Sequence, residues 1–191
     1  MELIAEIGKV AGFEVEVKNQ AFDGLLPALQ SGKIDLIIAG MTVTDERKKA
    51  VDFSESYYTA SQVIIVPADN AAIKSFDDLK GKNVGVQIGT TGDTVISEIK
   101  EITNTKYNNG SEAVLALTTQ KVDAVVIDNE PAKNFVAKNT GLKVVDTGAV
   151  KEDYAIAIAK GNKELLDKVN TGLKTLKENG KYDELIAKWF K

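Results

Sequence analysis

Short apolar runs rich in branched residues alternate along the chain with segments that have helical spacing. Residues 1–11 place their apolar side chains on one helical face, and Gly12 favours the end of that helix. Residues 13–17 alternate between apolar and polar side chains with a period of two, which predicts a strand. Residues 34–38 form a short, mostly apolar run that is typical of a strand buried on both faces.

The same alternation continues to the end of the chain and predicts an α/β fold with parallel sheets. Two helical segments have capping signals at their starts, Thr44 in one and Ser75 with Asp78 in the other. Trp189 and Phe190 lie in a final short helix and are predicted to anchor the core. The other predicted strands are 63–66, 83–87, 122–127, 142–145 and 154–158, and the other predicted helices are 24–30, 93–101, 111–119, one that starts near 131, and 163–178.

An internal repeat links residues 26–40 to residues 114–128. Each copy reads as a helix end, a polar turn and a short apolar strand. Polar groups follow both strands: Gly40 and then Arg47 after the first, and Asp128 after the second. Ligands of open α/β sheets bind outside the carboxyl ends of the strands. The repeat therefore predicts two similar lobes that face one ligand cleft.

Composition removes several function classes. The net charge is −4, with 24 basic and 28 acidic residues, and only 6% of residues are aromatic, so nucleic acid is not an expected partner. The chain has no cysteine and no histidine. A disulfide framework, thiolate catalysis, the usual serine triad and most zinc sites are therefore excluded, and neither a metal nor another cofactor is expected.

Residues 1–12 are not expected to be a signal peptide, because they are charged and amphipathic instead of continuously apolar. The chain is thus expected to be either cytoplasmic or a processed or truncated export product. No apolar run is long enough to predict a transmembrane helix.

Arg47 has two interpretations. It lies in a run of charged residues, 44–49, and such runs are usually solvated helix faces. Alternatively its planar guanidinium binds a carboxylate in a bidentate manner, which lysine cannot do. Gly40 and Thr42, just after a strand end, offer backbone and hydroxyl groups to the same ligand, or form an ordinary exit from the strand.

Three further positions are candidates with a structural alternative. The turn 89–92 follows a strand and opens a helix, so its N–H groups could receive an anion, although it lacks a nucleotide-binding fingerprint. Asp128 either caps the following helix or binds a cation such as an ammonium group. Phe22 is either a core residue or a surface for the ligand. Asp35 and Asp123 are matched turn residues with a predicted structural role.

The chain resembles the polar amino-acid-binding proteins of bacterial ABC importers, closest to their glutamine- and arginine-binding members. The resemblance covers essentially the whole sequence. It rests on residues 22–30, 39–49, 51–54, 57–58, 76–82, 89–91, 122–125, 176–180 and 189–190.

The resemblance implies a two-lobed protein that closes on its ligand by hinge bending. Lobe one would comprise residues 1–57 and 155–191, and lobe two residues 58–154, with crossovers near 57–61 and 150–154. The implied ligand is a free polar L-amino acid, and the implied partners are that amino acid and the membrane subunits of the importer. Periplasmic or extracellular localisation, with or without a lipid anchor, is implied as well.

The resemblance also assigns roles to single residues. Arg47 would bind the ligand α-carboxylate with the backbone N–H groups of Thr42 and Thr91. The Gly40 carbonyl, the Thr42 hydroxyl and Asp128 would bind the α-ammonium group. Phe22 would pack against the ligand side chain, and Gln87 would reach its polar end.

Two departures from the family pattern affect these expectations. The family places a strand before the helix at residues 1–11, between the strands at 13–17 and 34–38, and this chain does not contain it. A complementing peptide or a strand-swapped dimer is expected to fill that position, and free amino-acid affinity is expected to be poor. In addition, Ile127 stands where the glutamine-binding pattern has a polar residue.

Other functions remain as alternatives. One is a cyclohexadienyl-dehydratase-like enzyme on the same scaffold, which would use a pocket carboxylate as general acid. Another is a sensory receptor domain, which no transmembrane flank supports. A third is a truncated or engineered fragment with impaired ligand binding. The non-enzymatic binding protein is the leading interpretation, because it needs no catalytic group.

Overall fold

The computed structural model describes residues 1–190 and divides into two compact units. Within the described residues, unit 1 comprises 1–20, 24–59 and 153–190, and unit 2 comprises 21–23 and 60–152. The helices are α1 (Glu2–Ala11), α2 (Leu25–Gln30), α3 (Asp45–Ala50), α4 (Thr91–Glu98), α5 (Gly110–Thr118), α6 (Asn129–Lys138), α7 (Lys163–Glu178) and α8 (Lys181–Trp189). The strands are β1 (Leu36–Ile37), β2 (Val51–Pro67), β3 (Asn83–Gln87), β4 (Thr103–Tyr107), β5 (Ala124–Asp128), β6 (Leu142–Val145) and β7 (Lys151–Ala159).

Unit 1 packs helices on a small sheet. Strand β1 pairs antiparallel with β7, with Leu36 opposite Ile158. Helix α1 ends at Ala11, directly before the predicted stop at Gly12, which adopts a left-handed conformation (φ 76°). The buried face of α1 packs on α7, where a Cβ on Gly172 would lie 2.8 Å from the side chain of Ile7. The close approach of these two helices therefore requires glycine at position 172.

Unit 2 contains the more regular sheet. Strand β3 lies between β4 and β5 and runs parallel to both of them. Strand β5 pairs antiparallel with β2, which also pairs with β6. Val84, Gly85 and Val86 of β3 are all buried, and because successive residues face opposite sides of a sheet, the strand is covered on both faces. The predicted α/β fold class is confirmed.

The strand predicted at residues 13–17 is wrong. These residues follow α1 in an irregular segment that belongs to neither a helix nor a strand, and Val17 is 55% exposed. The strand predicted at 34–38 is reduced to the two residues of β1. Alternating side chains produce a strand only where a neighbouring backbone pairs with them, and within residues 1–190 no segment lies beside 13–17 to do so.

Two further differences between the sequence predictions and the structure involve residues with polar side chains or polar groups. Strand β4 was not predicted, because Thr103–Tyr107 is mostly polar and half-exposed at the edge of its sheet. The prediction that Trp189 anchors the core is wrong, since it is 59% exposed and its indole N–H donates to the Glu2 carboxylate at 3.0 Å. Phe190 is half-buried and stacks on Tyr58, with ring centroids 4.1 Å apart.

The chain passes from unit 1 to unit 2 within β2 and returns within β7. The lobe bounds proposed from the sequence stay a prediction. Within residues 1–190, no helix has the length and apolar character needed to cross a membrane.

Candidate functional site

In unit 1, the charged run around Arg47 separates into two kinds of residue. The Thr44 hydroxyl oxygen accepts from the Arg47 backbone N–H at 3.2 Å and starts α3, as predicted. Arg47 itself is buried, and its Nη1 donates to the Thr42 carbonyl oxygen at 2.6 Å. The neighbouring Lys48 and Lys49 are exposed. The interpretation of the run as a solvated face is therefore wrong for Arg47 and right for the two lysines.

Gly40 is held in place by two tyrosines of unit 1. Its backbone N–H donates to the Tyr57 hydroxyl at 3.0 Å. Its φ of 62° is left-handed, and a Cβ at this position would lie 3.3 Å from the ring of Tyr154. Thr42 then pairs with Tyr154 in an isolated antiparallel bridge. Unit 1 thus brings Gly40, Thr42 and Arg47 together just beyond the end of β1.

In unit 2, Asp128 ends β5 and occupies the N-cap position of α6. Within the described part of the chain, its side chain makes no capping hydrogen bond to α6. Instead one carboxylate oxygen accepts a hydrogen bond from the side-chain amide of Gln62, which lies directly opposite in the β2–β5 register. The helix-cap interpretation of Asp128 is therefore wrong, and its role with a cation stays a prediction.

Gln62 and Glu152 belong to the same cluster and were not identified from the sequence. The Gln62 side chain is 2% exposed, and its Nε2 also lies 3.0 Å from the Thr91 hydroxyl and 3.5 Å from the Glu152 carboxylate. The Thr91 hydroxyl donates to that carboxylate at 2.6 Å. Two acidic side chains therefore share one buried amide. Only the pairing register of β2 and β5 reveals this arrangement, so no local sequence signal could have found Gln62.

The buried Oε1 of Gln62 has no hydrogen-bond partner in residues 1–190. If the Oε1 and Nε2 atoms of Gln62 exchanged places, the oxygen would face the carboxylates of Asp128 and Glu152. Because oxygen atoms repel at that distance, the two acids determine the orientation of the amide. The orphan oxygen then lies next to Gly92, where a Cβ would come within 2.9 Å of it.

The turn before α4 is organised by Asp93. The Thr90 hydroxyl oxygen accepts from the Asp93 backbone N–H at 3.3 Å, and the Asp93 carboxylate accepts from the Gly89 N–H at 3.1 Å. Asn104 and Lys106 of β4 also donate to this carboxylate, each at 2.9 Å. Burial opposes its ionisation, but these donors prevail and the pKa of Asp93 is lowered. In the turn predicted to receive an anion, the Gly89 N–H is thus already bonded to a carboxylate of the chain itself.

Gln87 and Phe22 lie next to this turn. Gln87 is the half-buried last residue of β3, and its carbonyl oxygen accepts from the Thr90 hydroxyl at 2.8 Å. Phe22 is half-buried in a short 3-10 turn (Phe22–Gly24) whose Asp23 would lie 3.2 Å from a Cβ on Gly89. Unit 2 thus groups Gln87, Thr91 and Asp128, with the turn of Phe22 beside Gly89. Among residues 1–190, no cluster of three or more acidic side chains could hold a metal ion.

Two α/β units with polar groups beyond their strand ends are the arrangement expected of a solute-binding protein. Residues 1–191 match the family described as bacterial extracellular solute-binding proteins, family 3, and the chain belongs to that family. The resemblance identified from the sequence is confirmed.

Among curated relatives, the arginine-binding extracellular protein ArtP of Bacillus subtilis is 38% identical over 196 residues, covering 100% of this chain and 76% of its own length. A probable histidine-binding protein of Campylobacter jejuni is 38% identical over 193 residues, and the match covers 98% of this chain and 74% of that protein. An ancestral arginine-binding protein, solved bound to arginine, superimposes with a TM-score of 0.96 at 47% identity, covering 100% of this chain and 86% of that one. Its fold and that of the related solved structures are those of type II periplasmic binding proteins.

Proposed function

We propose that this protein binds a free polar L-amino acid, glutamine or arginine-like, and delivers it to an ABC importer. One observation carries the proposal. Unit 1 holds a buried guanidinium in the first turn of α3, and unit 2 holds a carboxylate at the end of β5 that a buried amide orients. A zwitterion needs one fixed cation and one fixed anion, and charge-assisted hydrogen bonds to such groups are strong.

The proposed roles follow the chemistry of each group. Arg47 binds the ligand carboxylate, together with the backbone N–H groups of Thr42 and Thr91. Asp128 binds the ammonium group with the Gly40 carbonyl and the Thr42 hydroxyl. Two further residues are assigned to the ligand side chain, Phe22 for packing and Gln87 for its polar end.

The relatives support an amino acid as the ligand. Their names specify arginine, histidine and glutamine, and two ancestral arginine-binding structures hold arginine in one case and glutamine in the other. We extend this ligand class to the present chain. The proposed partners are therefore the free amino acid and the membrane subunits of an importer, and the proposed location is outside the cytoplasmic membrane.

The proposal includes no catalytic step and no cofactor. One solved neighbour is an ancestral amino-acid-binding protein described as a precursor of cyclohexadienyl dehydratase, with 43% identity and a TM-score of 0.92. Because that neighbour is itself named as a binding protein, it favours binding over turnover for this chain. In a turnover assay, failure of the protein to convert either prephenate or arogenate to product would agree with this assignment.

The proposal includes a polypeptide partner for unit 1, either a separate peptide or a swapped segment of a second copy. Strand β1 has only two residues, and the proposed ligand groups Gly40 and Thr42 follow it directly. A partner that extends this sheet would therefore also steady the ligand groups of unit 1.

A thermal-shift screen against the twenty amino acids tests the function. A ligand present at 100 times its dissociation constant stabilises the folded state by about 2.7 kcal/mol, which gives a clear rise in melting temperature. Free amino-acid affinity is expected to be poor without the polypeptide partner of unit 1, so the amino acids are added at millimolar concentration. We then expect a rise with arginine or glutamine and none with aspartate. A flat response to all twenty, with the protein folded, would contradict the proposal.

A further inference from the structure

The segment 40–43 of unit 1 lies between β1 and α3 and contains two of the proposed ligand groups. Strand β7 holds the later part of this segment, because Thr42 lies opposite Tyr154 in the isolated antiparallel bridge. Two hydrogen bonds flank the bridge: the Met41 carbonyl accepts from the Ala155 N–H at 3.2 Å, and the Val43 N–H donates to the Asp153 carbonyl at 2.9 Å. The backbone is therefore fixed from Met41 onward.

Gly40 precedes this bridge, and the side chain of Tyr57 holds it. The Gly40 backbone N–H donates to the Tyr57 hydroxyl at 3.0 Å. Tyr57 belongs to β2 and is only 4% exposed, so a displacement of its ring would disturb the core around it. The hydrogen bond therefore fixes the plane of the peptide group between Ala39 and Gly40.

The ring of Tyr154 lies against the α-carbon of Gly40. A Cβ at position 40 would come within 3.3 Å of that ring. Tyr154 is also 4% exposed, and its ring centroid lies 6.2 Å from that of Tyr57. Two buried tyrosines thus contact Gly40, one through a hydrogen bond and the other through a close approach that favours glycine.

These contacts determine the direction of the Gly40 carbonyl. Glycine has no Cβ, so its own backbone restricts the carbonyl very little. The peptide groups on its two sides restrict it instead: Tyr57 fixes the first of them, and the bridge that begins at Met41 fixes the chain after the second. A carbonyl that already has its binding direction in the free protein reduces the ordering cost of ligand binding.

We propose that Tyr57 is a positioning residue for the ammonium group of the ligand. Its hydroxyl holds the peptide group before Gly40 and so directs the Gly40 carbonyl towards that ammonium group. Tyr57 acts through Gly40 and needs no contact of its own with the ligand. This inference rests on the proposed function, because it requires an amino acid at Gly40, and it specifies how unit 1 prepares for the ammonium group.

A second tyrosine hydroxyl provides a matched control. The Tyr182 hydroxyl on α8 donates to the Tyr57 backbone carbonyl at 2.6 Å. Both hydroxyls therefore bond to a backbone group of unit 1, but only that of Tyr57 bonds to the segment with the ligand groups. Tyr57→Phe and Tyr182→Phe each remove one hydroxyl and keep the ring.

Titration of the full chain with arginine, up to millimolar concentration and followed by amide NMR spectroscopy, measures the expected difference. Tyr57→Phe should raise the dissociation constant about three- to tenfold, as expected for one lost hydrogen bond. Tyr182→Phe should leave the dissociation constant unchanged. Both variants should lower the melting temperature, since each loses one hydrogen bond to the backbone.

The Gly40 amide itself reports on the positioning. In Tyr57→Phe the Gly40 N–H loses its acceptor, so its hydrogen exchange without ligand should be about tenfold faster, and its resonance should move. In Tyr182→Phe the Gly40 amide should keep the parent values. This measurement separates loss of the one hydrogen bond from a general loss of stability, which would accelerate exchange throughout unit 1.

A second ligand identifies which end of the amino acid is affected. Arginine amide keeps the ammonium group of arginine but has no carboxylate. Because Tyr57 is assigned to the ammonium group, Tyr57→Phe should raise the dissociation constants of arginine and arginine amide by the same factor. A smaller rise for arginine amide would mean that Tyr57 acts on the carboxylate, and it would overturn the proposal.

Two other results would also overturn it. One is equal arginine affinity of the parent protein and Tyr57→Phe while exchange at Gly40 is faster in the variant. The other is an equal loss of affinity in Tyr57→Phe and Tyr182→Phe, which would assign the effect to the stability of unit 1. A parent protein that responds to no amino acid would contradict the proposed function itself, and this result is recognised before any variant is compared.

Discussion

The guanidinium of Arg47 donates a hydrogen bond to the backbone carbonyl of Thr42 at 2.6 Å. This contact joins the start of α3 to the segment that leaves β1, so two proposed ligand groups are fixed to each other before any ligand binds. A guanidinium has five N–H donors in a rigid plane, and holding one of them fixes the direction of the others. The contact therefore orients Arg47 for a carboxylate.

Replacement of Arg47 tests this orientation. Arg47→Ala should weaken amino-acid binding by about 2–5 kcal/mol, because the ligand carboxylate loses a buried partner. Arg47→Lys should recover only part of that loss, since an ammonium group cannot form the planar pair. Isothermal titration with arginine and glutamine measures both changes. The matched control is Lys49→Ala, an exposed residue of the same charged run, for which affinity should not change.

Asp128→Asn separates charge from shape. The amide oxygen of asparagine still accepts from Gln62, so we expect little change in the free energy of unfolding. Affinity for the amino acid should fall at least tenfold, because the ligand ammonium group loses its anion. Denaturant titration and calorimetry together give the two quantities. Asp69→Asn, on an exposed loop, serves as the control, and unchanged affinity in Asp128→Asn would remove Asp128 from the ligand site.

Gln62 is expected to stabilise the fold through the side-chain amide that Asp128 and Glu152 share. Gln62→Leu leaves the carboxylates of Asp128 and Glu152 without their shared donor, and we expect a loss of about 1–3 kcal/mol in the free energy of unfolding. Gln62→Glu should cost more, since it adds a third acidic group to the cluster. Urea unfolding measures both variants against Gln30→Leu, an exposed glutamine. Equal stability of all three variants would show that the amide has no such role.

The lowered pKa of Asp93 predicts that the free energy of unfolding depends on pH. Its pKa is lowered in the folded protein, so its ionised form stabilises the fold above the ordinary pKa of about 4. This contribution is lost as the pH falls through the lower pKa of the folded state. The difference in unfolding free energy between the parent protein and Asp93→Asn should therefore be large at pH 7 and shrink towards pH 3. A difference that stays constant over this range would contradict the assignment.

Elements with strong local signals were predictable from the sequence. The amphipathic pattern and its glycine stop predicted α1, the spacing of leucines predicted α7 with its observed bounds, and Thr44 predicted the start of α3. Each of these signals lies within one segment of the chain. The repeat also indicated which strand ends would hold polar groups.

Features that depend on a distant partner were not predictable from local patterns. Residues 13–17 alternate like a strand but have no neighbour, whereas polar Thr103–Tyr107 forms β4 because β3 pairs with it. Gln62 joined the site only through its position opposite Asp128. Trp189 was assigned to the core by residue type, but the indole N–H finds its partner in Glu2 near the other end of the chain.

The discontinuity of unit 1 affects the order in which the protein can fold. Unit 2 is almost one continuous stretch of chain, so its sheet can form as soon as residues 60–152 have been synthesised. Unit 1 needs its last segment, which follows residue 152, before it is complete: the Ile156 N–H donates to the Ser54 hydroxyl, and the Asn170 side-chain oxygen accepts from the Glu55 N–H. Chains are made from the N-terminus, and exposed edges of incomplete domains aggregate. Residues 1–20 and 24–59 therefore lack the last segment of their unit while unit 2 is made, and we expect their exposed edges to be prone to aggregation during that time.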